Sequence, residues 1–116
     1  MQFLLLIYHR EADYVALSDG DREALFREYR ALVEELVAKK QYLGGNQLQL
    51  TKSASTVRLR AGQKLVTDGP FSETKEQLGG FFLIEAPDPQ AAEQIAARIP
   101  AARHGSIEVR PVVPMQ

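Results

Sequence analysis

The sequence DGPFSETKEQLGGF, residues 68–81, contains the densest group of backbone-shaping residues in this chain. Gly69 precedes Pro70, whose ring pushes the preceding residue out of the α region, so we expect a sharp bend after an extended segment. Phe71 is the large apolar residue expected to anchor this bend. The stretch predicts a backbone shape, but it names neither a substrate nor a reaction.

The second half of the same stretch predicts a short helix that leads into a strand. Ser72 is a good N-cap and would start one or two helical turns. Gly79 is expected to adopt a left-handed conformation that ends them, with Gly80 following it. The apolar run at residues 81–86 then reads as a strand.

Two amphipathic helices flank this region. The first is predicted to begin at Ser18, with Asp21 three residues later as a capping box, and to end near the lysines at residues 39–40. Its apolar positions follow the helical period: Leu25, Phe26, Tyr29, Leu32, Val33, Leu36 and Val37. The second begins at Pro89 behind the N-cap Asp88.

The remaining segments read as strands and loops. Strands are predicted at residues 2–9, 47–50, 56–60, 64–67 and 106–113, and residues 10–17 read as a loop. Pro111 favours an edge position for the last strand. The order predicts one α+β domain over residues 1–116, with ferredoxin-like β-α-β-β-α-β topology and an inserted hairpin strand.

The first strand predicts association, because both of its faces are apolar. Phe3, Leu5 and Ile7 alternate with Leu4, Leu6 and Tyr8. Two helices can cover only one face of a sheet, so the other face requires a partner. We therefore predict a homodimer that buries on the order of 800 Å² per subunit.

The central stretch also carries a family resemblance. Residues TDGPF at 67–71, followed by Glu73, the pair at 75–76 and LGGF at 78–81, resemble the signature of the DGPF branch of the YCII-related family. The similarity extends over nearly the whole chain. It implies a ferredoxin-like subunit that pairs into a dimeric α/β barrel, with Gly69, Pro70, Phe71, Gly79 and Gly80 as the structural motif.

The resemblance also implies two kinds of function. Some relatives resemble small enzymes built around a His-Asp pair, but where those relatives carry a helical histidine this chain has Tyr29, which argues against that mechanism here. DGPF members are often associated genetically with extracytoplasmic-function sigma factors, which implies a non-catalytic regulatory or protein-interaction module.

Composition excludes several function classes. The chain has no cysteine, so disulfides, thiolate metal sites and cysteine nucleophiles are excluded, and with no secretory or membrane segment we expect a cytoplasmic location. A net charge of -1 predicts no direct binding to nucleic acid. Neither a metal-ligand spacing nor a phosphate loop is present, so we predict no cofactor.

Asp68 is the candidate catalytic residue. A carboxylate held by a Gly-Pro turn beside an apolar residue could have the raised pKa that a general acid or base needs. The competing interpretation is an Asx turn, in which the side chain only organises the backbone.

The two histidines are the next candidates. If the first and third core strands run parallel, His9 and His104 share one end of the sheet and Asp68 lies nearer the opposite end. A His-Asp pair within one subunit is then not expected. Each histidine can equally be an ordinary polar loop residue.

The candidate ligand-binding residues are Tyr8, His9, Tyr29 and Arg110. For the two tyrosines, the competing interpretation is core packing. For Arg110, the competing interpretation is a charge pair with Glu108. Arg58 and Arg60 share a strand face that could hold an anion or simply be solvated. Two readings therefore remain: a small enzyme that uses the cleft between sheet and helices, or a non-catalytic binding module.

Overall fold

The computed structural model describes residues 1–115 and contains an antiparallel sheet with helices on one face. Its elements are β1 (Gln2–His9), α1 (Glu11–Val15), α2 (Asp19–Ala38), β2 (Tyr42–Gln47), β3 (Ser55–Arg60), β4 (Gln63–Asp68), β5 (Gln77–Glu85), α3 (Pro89–Ala97) and β6 (Ser106–Pro111). Short 3-10 helices cover Thr51–Ser53 and Pro100–Arg103. The α+β class is confirmed.

The strands form two separate sheets. The main sheet has the order β2-β5-β1-β6 with every neighbouring pair antiparallel, and β3 and β4 form a two-stranded hairpin of their own. The tight turn of this hairpin uses positive φ angles at Ala61 and Gly62. β6 lies at an edge of the main sheet, as Pro111 predicted.

One face of the main sheet carries the core. Phe3, Leu5 and Ile7 of β1 point to this face and are buried, whereas the alternate residues of the strand are only partly buried. Helices α2 and α3 cover the same face. The buried cluster contains Phe3, Leu5, Ile7, Leu32, Leu36, Phe82, Ile84, Ala86, Ala92, Ile95, Ala96, Ile99 and Ala101.

Both long helices begin where the sequence predicts. The hydroxyl oxygen of Ser18 accepts a hydrogen bond from the backbone N–H of Asp21 at 3.1 Å. The Asp88 carboxylate accepts one from the backbone N–H of Ala91 at 2.8 Å, and Pro89 occupies the first helical position. These side chains satisfy amide groups that have no partner inside the helix.

Four local predictions are wrong. Residues 10–17 contain helix α1 rather than a plain loop, and no helix follows Ser72. The strand predicted at residues 47–50 lies earlier, as β2. Gly79 and Gly80 are inside β5 and do not end a helix.

The short segment before β5 shows why the helix after Ser72 does not form. The hydroxyl of Thr74 donates to the backbone carbonyl of Glu76, and the Gln77 side-chain amide donates to the carbonyl of Thr74 at 2.6 Å. These contacts close a turn within a few residues. A helical nucleus of similar length is unfavourable unless tertiary packing supports it, and Phe71, the expected anchor, is 78% exposed.

The expected parallel arrangement of the first and third core strands is also wrong. β5 lies between β1 and β2 and runs antiparallel to both, so His9 pairs with Gln77. The end of β1 therefore meets the start of β5. The segment that follows Asp68 consequently leads to the His9 end of the sheet rather than to the opposite end.

Among the described residues, no helix is both long enough and apolar enough to cross a membrane.

Candidate functional site

A cleft of about 540 Å³ lies between the main sheet and the helices α1 and α2. Its floor is apolar and aromatic, and charged side chains stand at its mouth. The apolar and aromatic lining consists of Ile7, Tyr14, Leu17, Leu25, Phe26, Tyr29, Val33, Tyr42, Phe82 and Ala101. The polar lining consists of His9, Arg10, Asp13, Arg30, Glu34, Asn46, Gln47 and His104.

A bulge in the sheet positions His9. The β1–β5 register shifts between Ile7 and Tyr8, which leaves Gly79 as an extra residue on β5. The His9 ring packs directly on Gly79, because a Cβ atom at that glycine would lie 2.1 Å from the His9 Nε2 atom. Only a glycine can occupy this position while the ring remains in place.

Gly80 has a different reason to be a glycine. A Cβ atom there would lie 2.8 Å from the backbone oxygen of Asn46 on β2. The two glycines of the LGGF motif therefore have different roles. Gly79 leaves space for the His9 side chain, and Gly80 allows the close approach of strand β2.

Tyr14 of α1 forms the wall beside His9. The two ring centroids are 5.8 Å apart with an interplanar angle of 71°, an edge-to-face arrangement. The Tyr14 hydroxyl accepts a hydrogen bond from the side-chain amide of Gln47 at 3.1 Å. The guanidinium of Arg22 lies 5.2 Å from the ring centroid of Tyr14, a distance suited to a cation–π contact.

Long-range hydrogen bonds hold the start of α1. The Glu11 carboxylate accepts from the backbone N–H of Thr51 at 2.6 Å and from its hydroxyl at 2.9 Å. The backbone N–H of Glu11 donates to the side-chain carbonyl of Gln77 at 3.0 Å. Helix α1 has only five residues, so these bonds, rather than its intrinsic propensity, stabilise it.

Tyr29 and Tyr42 form the aromatic part of the floor around Phe82. Both rings meet the Phe82 ring edge-to-face, with centroid distances of 6.3 Å for Tyr29 and 5.3 Å for Tyr42. Burial raises the pKa of the Tyr29 hydroxyl, an effect that the Ala101 backbone and Arg103 partly oppose. Burial also raises the pKa of Tyr42. Both hydroxyls are therefore neutral at physiological pH.

The mouth of the cleft contains equal numbers of positively and negatively charged side chains. Arg10 and Arg30 supply two cations, and Asp13 and Glu34 supply two carboxylates, all on exposed side chains. Within residues 1–115, no group of three or more histidine, cysteine, aspartate or glutamate side chains could hold a metal ion. These four side chains together carry no net charge.

The cleft brings together part of the predicted set. His9, Tyr29 and His104 all line it, and the two histidines lie at the same end of the sheet, as predicted. Tyr8 and Arg110 lie on the opposite sheet face, where they pair with Ser106 and Leu4.

Arg110 has a charged neighbour on its own strand. Its guanidinium lies 3.3 Å from the Glu108 carboxylate, and both side chains are largely exposed. The pair is formed along β6 rather than across strands, and a solvated pair of this kind contributes little to stability.

Asp68 lies outside the cleft, at the end of β4, where it pairs with Ser55 and is exposed. Gly69 has the positive φ of 91° that the bend requires. Among the described residues, the bend is held by the Gly69 N–H donating to the Ala54 carbonyl at 2.7 Å and the Thr56 hydroxyl donating to the Gly69 carbonyl at 2.8 Å. The Asp68 carboxylate takes no part in these bonds.

Arg58 and Arg60 lie on the hairpin and also outside the cleft. They share one face of β3, as predicted, and sit opposite Leu65 and Gln63. The Arg60 guanidinium donates to the Leu59 carbonyl at 2.9 Å.

The sequence reasoning missed Tyr14, Asp13 and Gln47. All three depend on α1 or on the correct position of β2, and both of these elements were misplaced. One signal was available: Asp13 and Tyr14 follow Glu11, so an acidic first turn precedes an aromatic residue. The contact between His9 and Gly79 had no local signal, since it joins strands that are far apart in sequence.

The fold and the cleft define a class of protein: an α+β chain in which one face of an antiparallel sheet and two helices form a mixed aromatic and polar cleft. The YCII-related domain family matches residues 1–116, and the chain belongs to this family. A protein of Rhizobium meliloti (strain 1021), described as uncharacterized, is 36% identical over 114 residues, which are 97% of this chain and 92% of that relative.

Burial of Tyr29 leads to a prediction about alkaline stability. Because the folded state raises the pKa of this hydroxyl above its ordinary value of 10.0, the neutral form is favoured on folding. The buried neutral hydroxyl contributes fully to the free energy of unfolding below pH 10.0, and this contribution is lost as the pH rises through the pKa of the folded state. We expect the free energy of unfolding to fall less steeply in Tyr29→Phe than in the unmodified protein, measured by urea unfolding from about pH 8 to about pH 11. Identical slopes for the two proteins would contradict this.

Proposed function

We propose that this protein is a homodimer that binds a small organic molecule in the cleft between the main sheet and α1 and α2. The observation that carries the proposal is the cleft itself. Its volume of about 540 Å³ falls in the range of ligand sites, and its floor is apolar with a few polar groups.

The distribution of polar groups supports a ligand with an apolar body and one polar substituent. The half-buried lining groups with polar atoms are His9, Tyr14, Tyr29 and Tyr42, whereas the ionic side chains are exposed at the mouth. A ligand in the cleft would contact ring faces and edges over most of its surface. Burying apolar area of this kind contributes roughly 25 cal/mol per Å².

The cleft can be tested with two matched valine substitutions on α2. Val33 lines the cleft, whereas Val37 is exposed and outside it. We expect Val33→Trp to fill the cleft and to weaken binding of phenol, benzoate and indole at least tenfold, a loss of about 1.4 kcal/mol. Val37→Trp should bind these probes as the unmodified protein does.

Ring signals in ¹H–¹³C NMR spectra provide the measurement. The chain has four tyrosines and two histidines. The probes should shift signals of Tyr14, Tyr29 and His9, while Tyr8 on the other sheet face should stay unshifted. Probe-induced shifts confined to Tyr8, or equal binding by both tryptophan variants, would refute the proposed site.

The open face of the main sheet supports the dimer. It presents six large side chains of β1 and β5 that are only partly buried: Leu4, Leu6, Tyr8, Leu78, Phe81 and Leu83. A second copy placed against this face would form the dimeric α/β barrel of ferredoxin-like subunits that the DGPF signature implies. The strand order β2-β5-β1-β6, with α2 and α3 on the other face, is compatible with this arrangement.

The shape of the chain supports association as well. Its radius of gyration is 16.1 Å, compared with about 13 Å for a compact domain of this length. The hairpin of β3 and β4 also exposes apolar side chains, including Val57, Leu59 and Val66 on one face. An isolated two-stranded hairpin is marginally stable in water, so we propose that a second copy supports it.

A charge on the open face should disrupt the dimer. We expect Leu6→Arg to convert the dimer to a monomer at micromolar concentration, because a guanidinium would be buried without a partner. Val15→Arg is the control, since Val15 is an exposed residue of α1. Sedimentation velocity measures both. A stable monomer for the unmodified protein would contradict the dimer.

We further propose two alternatives, a catalytic role for Asp68 and a regulatory role for the whole domain. Asp68 could act as an acid or base only if a second copy brings the hairpin to the cleft, because it lies outside the cleft of its own chain. The alternative, suggested by the DGPF branch, is a regulatory module associated with an extracytoplasmic-function sigma factor. The absence of cysteine is compatible with a cytoplasmic location for either.

The substitution Asp68→Asn separates these possibilities. From the geometry of one subunit we expect probe binding to be unchanged and the free energy of unfolding to change by less than about 0.5 kcal/mol, because the side chain is exposed and outside the turn's hydrogen bonds. Weaker probe binding with an unchanged melting temperature would instead show that Asp68 reaches a partner's cleft.

A further inference from the structure

We propose that His9 determines which ligands the cleft accepts and that Gly79 is the residue that positions it. The preferred ligand is a planar ring with an oxygen substituent at its edge, such as a hydroxyl or carboxyl group. This inference rests on the proposed ligand-binding function and assigns its specificity to one side chain.

The cleft contains four half-buried side chains with polar atoms, three tyrosines and His9. The Tyr14 hydroxyl already accepts a hydrogen bond from Gln47. The Tyr29 hydroxyl faces the backbone at Ala101, and the Tyr42 hydroxyl lies against Gly45, where a Cβ atom would be 2.6 Å away. Like the Tyr42 hydroxyl, the His9 imidazole takes part in none of the hydrogen bonds among residues 1–115, and this ring is half-buried and lines the cleft.

Two neighbours fix the orientation of the His9 ring. Gly79 supports one side of the imidazole, and the Tyr14 ring stands edge-to-face against it at 5.8 Å. Tyr14 is in turn held by Gln47 and Arg22. The imidazole is therefore fixed before a ligand enters, and pre-organised polar groups cost less to order on binding.

The wall formed by His9 and the aromatic rings matches a planar ligand with an oxygen substituent. An imidazole can both donate and accept a hydrogen bond, so a hydroxyl or carboxyl oxygen can bind to it. The rings of Tyr29 and Phe82 lie in the same cleft and suit a planar apolar body. Arg30 and Glu34 stand at the exposed mouth, as do Arg10 and Asp13. Discrimination at the inner wall is therefore assigned to His9, whose ring is held between Gly79 and Tyr14.

Phenol and toluene provide a matched pair of probes, because they differ by one hydroxyl in place of a methyl group. We expect His9→Ala to weaken phenol binding about fivefold, as expected for one hydrogen bond, and to leave toluene binding unchanged. Titrations followed by the tyrosine ring signals measure both affinities. An equal effect on both probes would overturn the assignment of specificity to His9.

The positioning role of Gly79 is tested by a double-mutant cycle. Gly79→Ala should displace the imidazole, shift the His9 ring signals of the free protein, and weaken phenol binding as much as His9→Ala does. In the His9→Ala background the same alanine has no ring to displace, so it should cause no further loss of phenol affinity and a smaller fall in melting temperature. Gly44→Ala is the control, because a Cβ atom there would contact nothing within 4 Å.

The outcomes separate this inference from the proposed function. If Gly79→Ala lowers phenol affinity and melting temperature equally in both backgrounds, the glycine acts through the backbone and the positioning role is overturned. If both probes bind in the cleft but His9→Ala leaves their affinity ratio unchanged, the cleft remains a ligand site and the specificity assignment fails. If neither probe binds in the cleft, both the proposed function and this inference are overturned.

Discussion

The pairing of β1 with β5 is the constraint on which the rest of the structure depends. These two strands form the centre of the main sheet, and both carry large apolar residues on both faces. Phe3, Leu5 and Ile7 are buried under α2 and α3, and this burial is the main source of stability for the subunit. The opposite face contains Leu4, Leu6 and Tyr8, which the same chain does not fully cover. The single pairing thus creates both the buried core and a second apolar face that the described residues leave partly exposed.

The same pairing also creates the site. His9 follows Ile7 by two residues and therefore shares the cleft side of the sheet, and the extra residue of β5 beside it is Gly79, on which its ring packs. The irregularity in the sheet is therefore the element that connects the fold to its candidate chemistry, as β-bulges near functional sites commonly do.

The parts of the fold that the sequence predicts well are those with strong local signals. Helix α2 has a long amphipathic period and a capping residue at Ser18, and α3 begins at Asp88 and Pro89 as expected. The predictions that were wrong concern elements whose structure depends on tertiary contacts. Helix α1 is held by the bond between Glu11 and Thr51, which no local pattern reveals.

The residues of the candidate site also divide into those with a local sequence signal and those that only tertiary contacts bring into place. His9 and Tyr29 could be selected from residue type and position, and both line the cleft. The contacts of His9 with Tyr14 and Gly79 could not be predicted, because a short helix and a strand bulge bring these residues to the histidine. The glycine-rich motif was recognised as important for the backbone. The packing of the His9 ring on Gly79 is visible only once the antiparallel register of β1 and β5 is known.

The β3–β4 hairpin has a consequence for how such proteins can diversify. It forms a sheet of its own, and it joins β5 through residues 69–76, which contain no helix or strand. Its tip at Ala61 and Gly62 lies in neither the buried core nor the cleft lining. Evolution or an engineer could therefore lengthen, shorten or recharge this arm while the cleft keeps its shape.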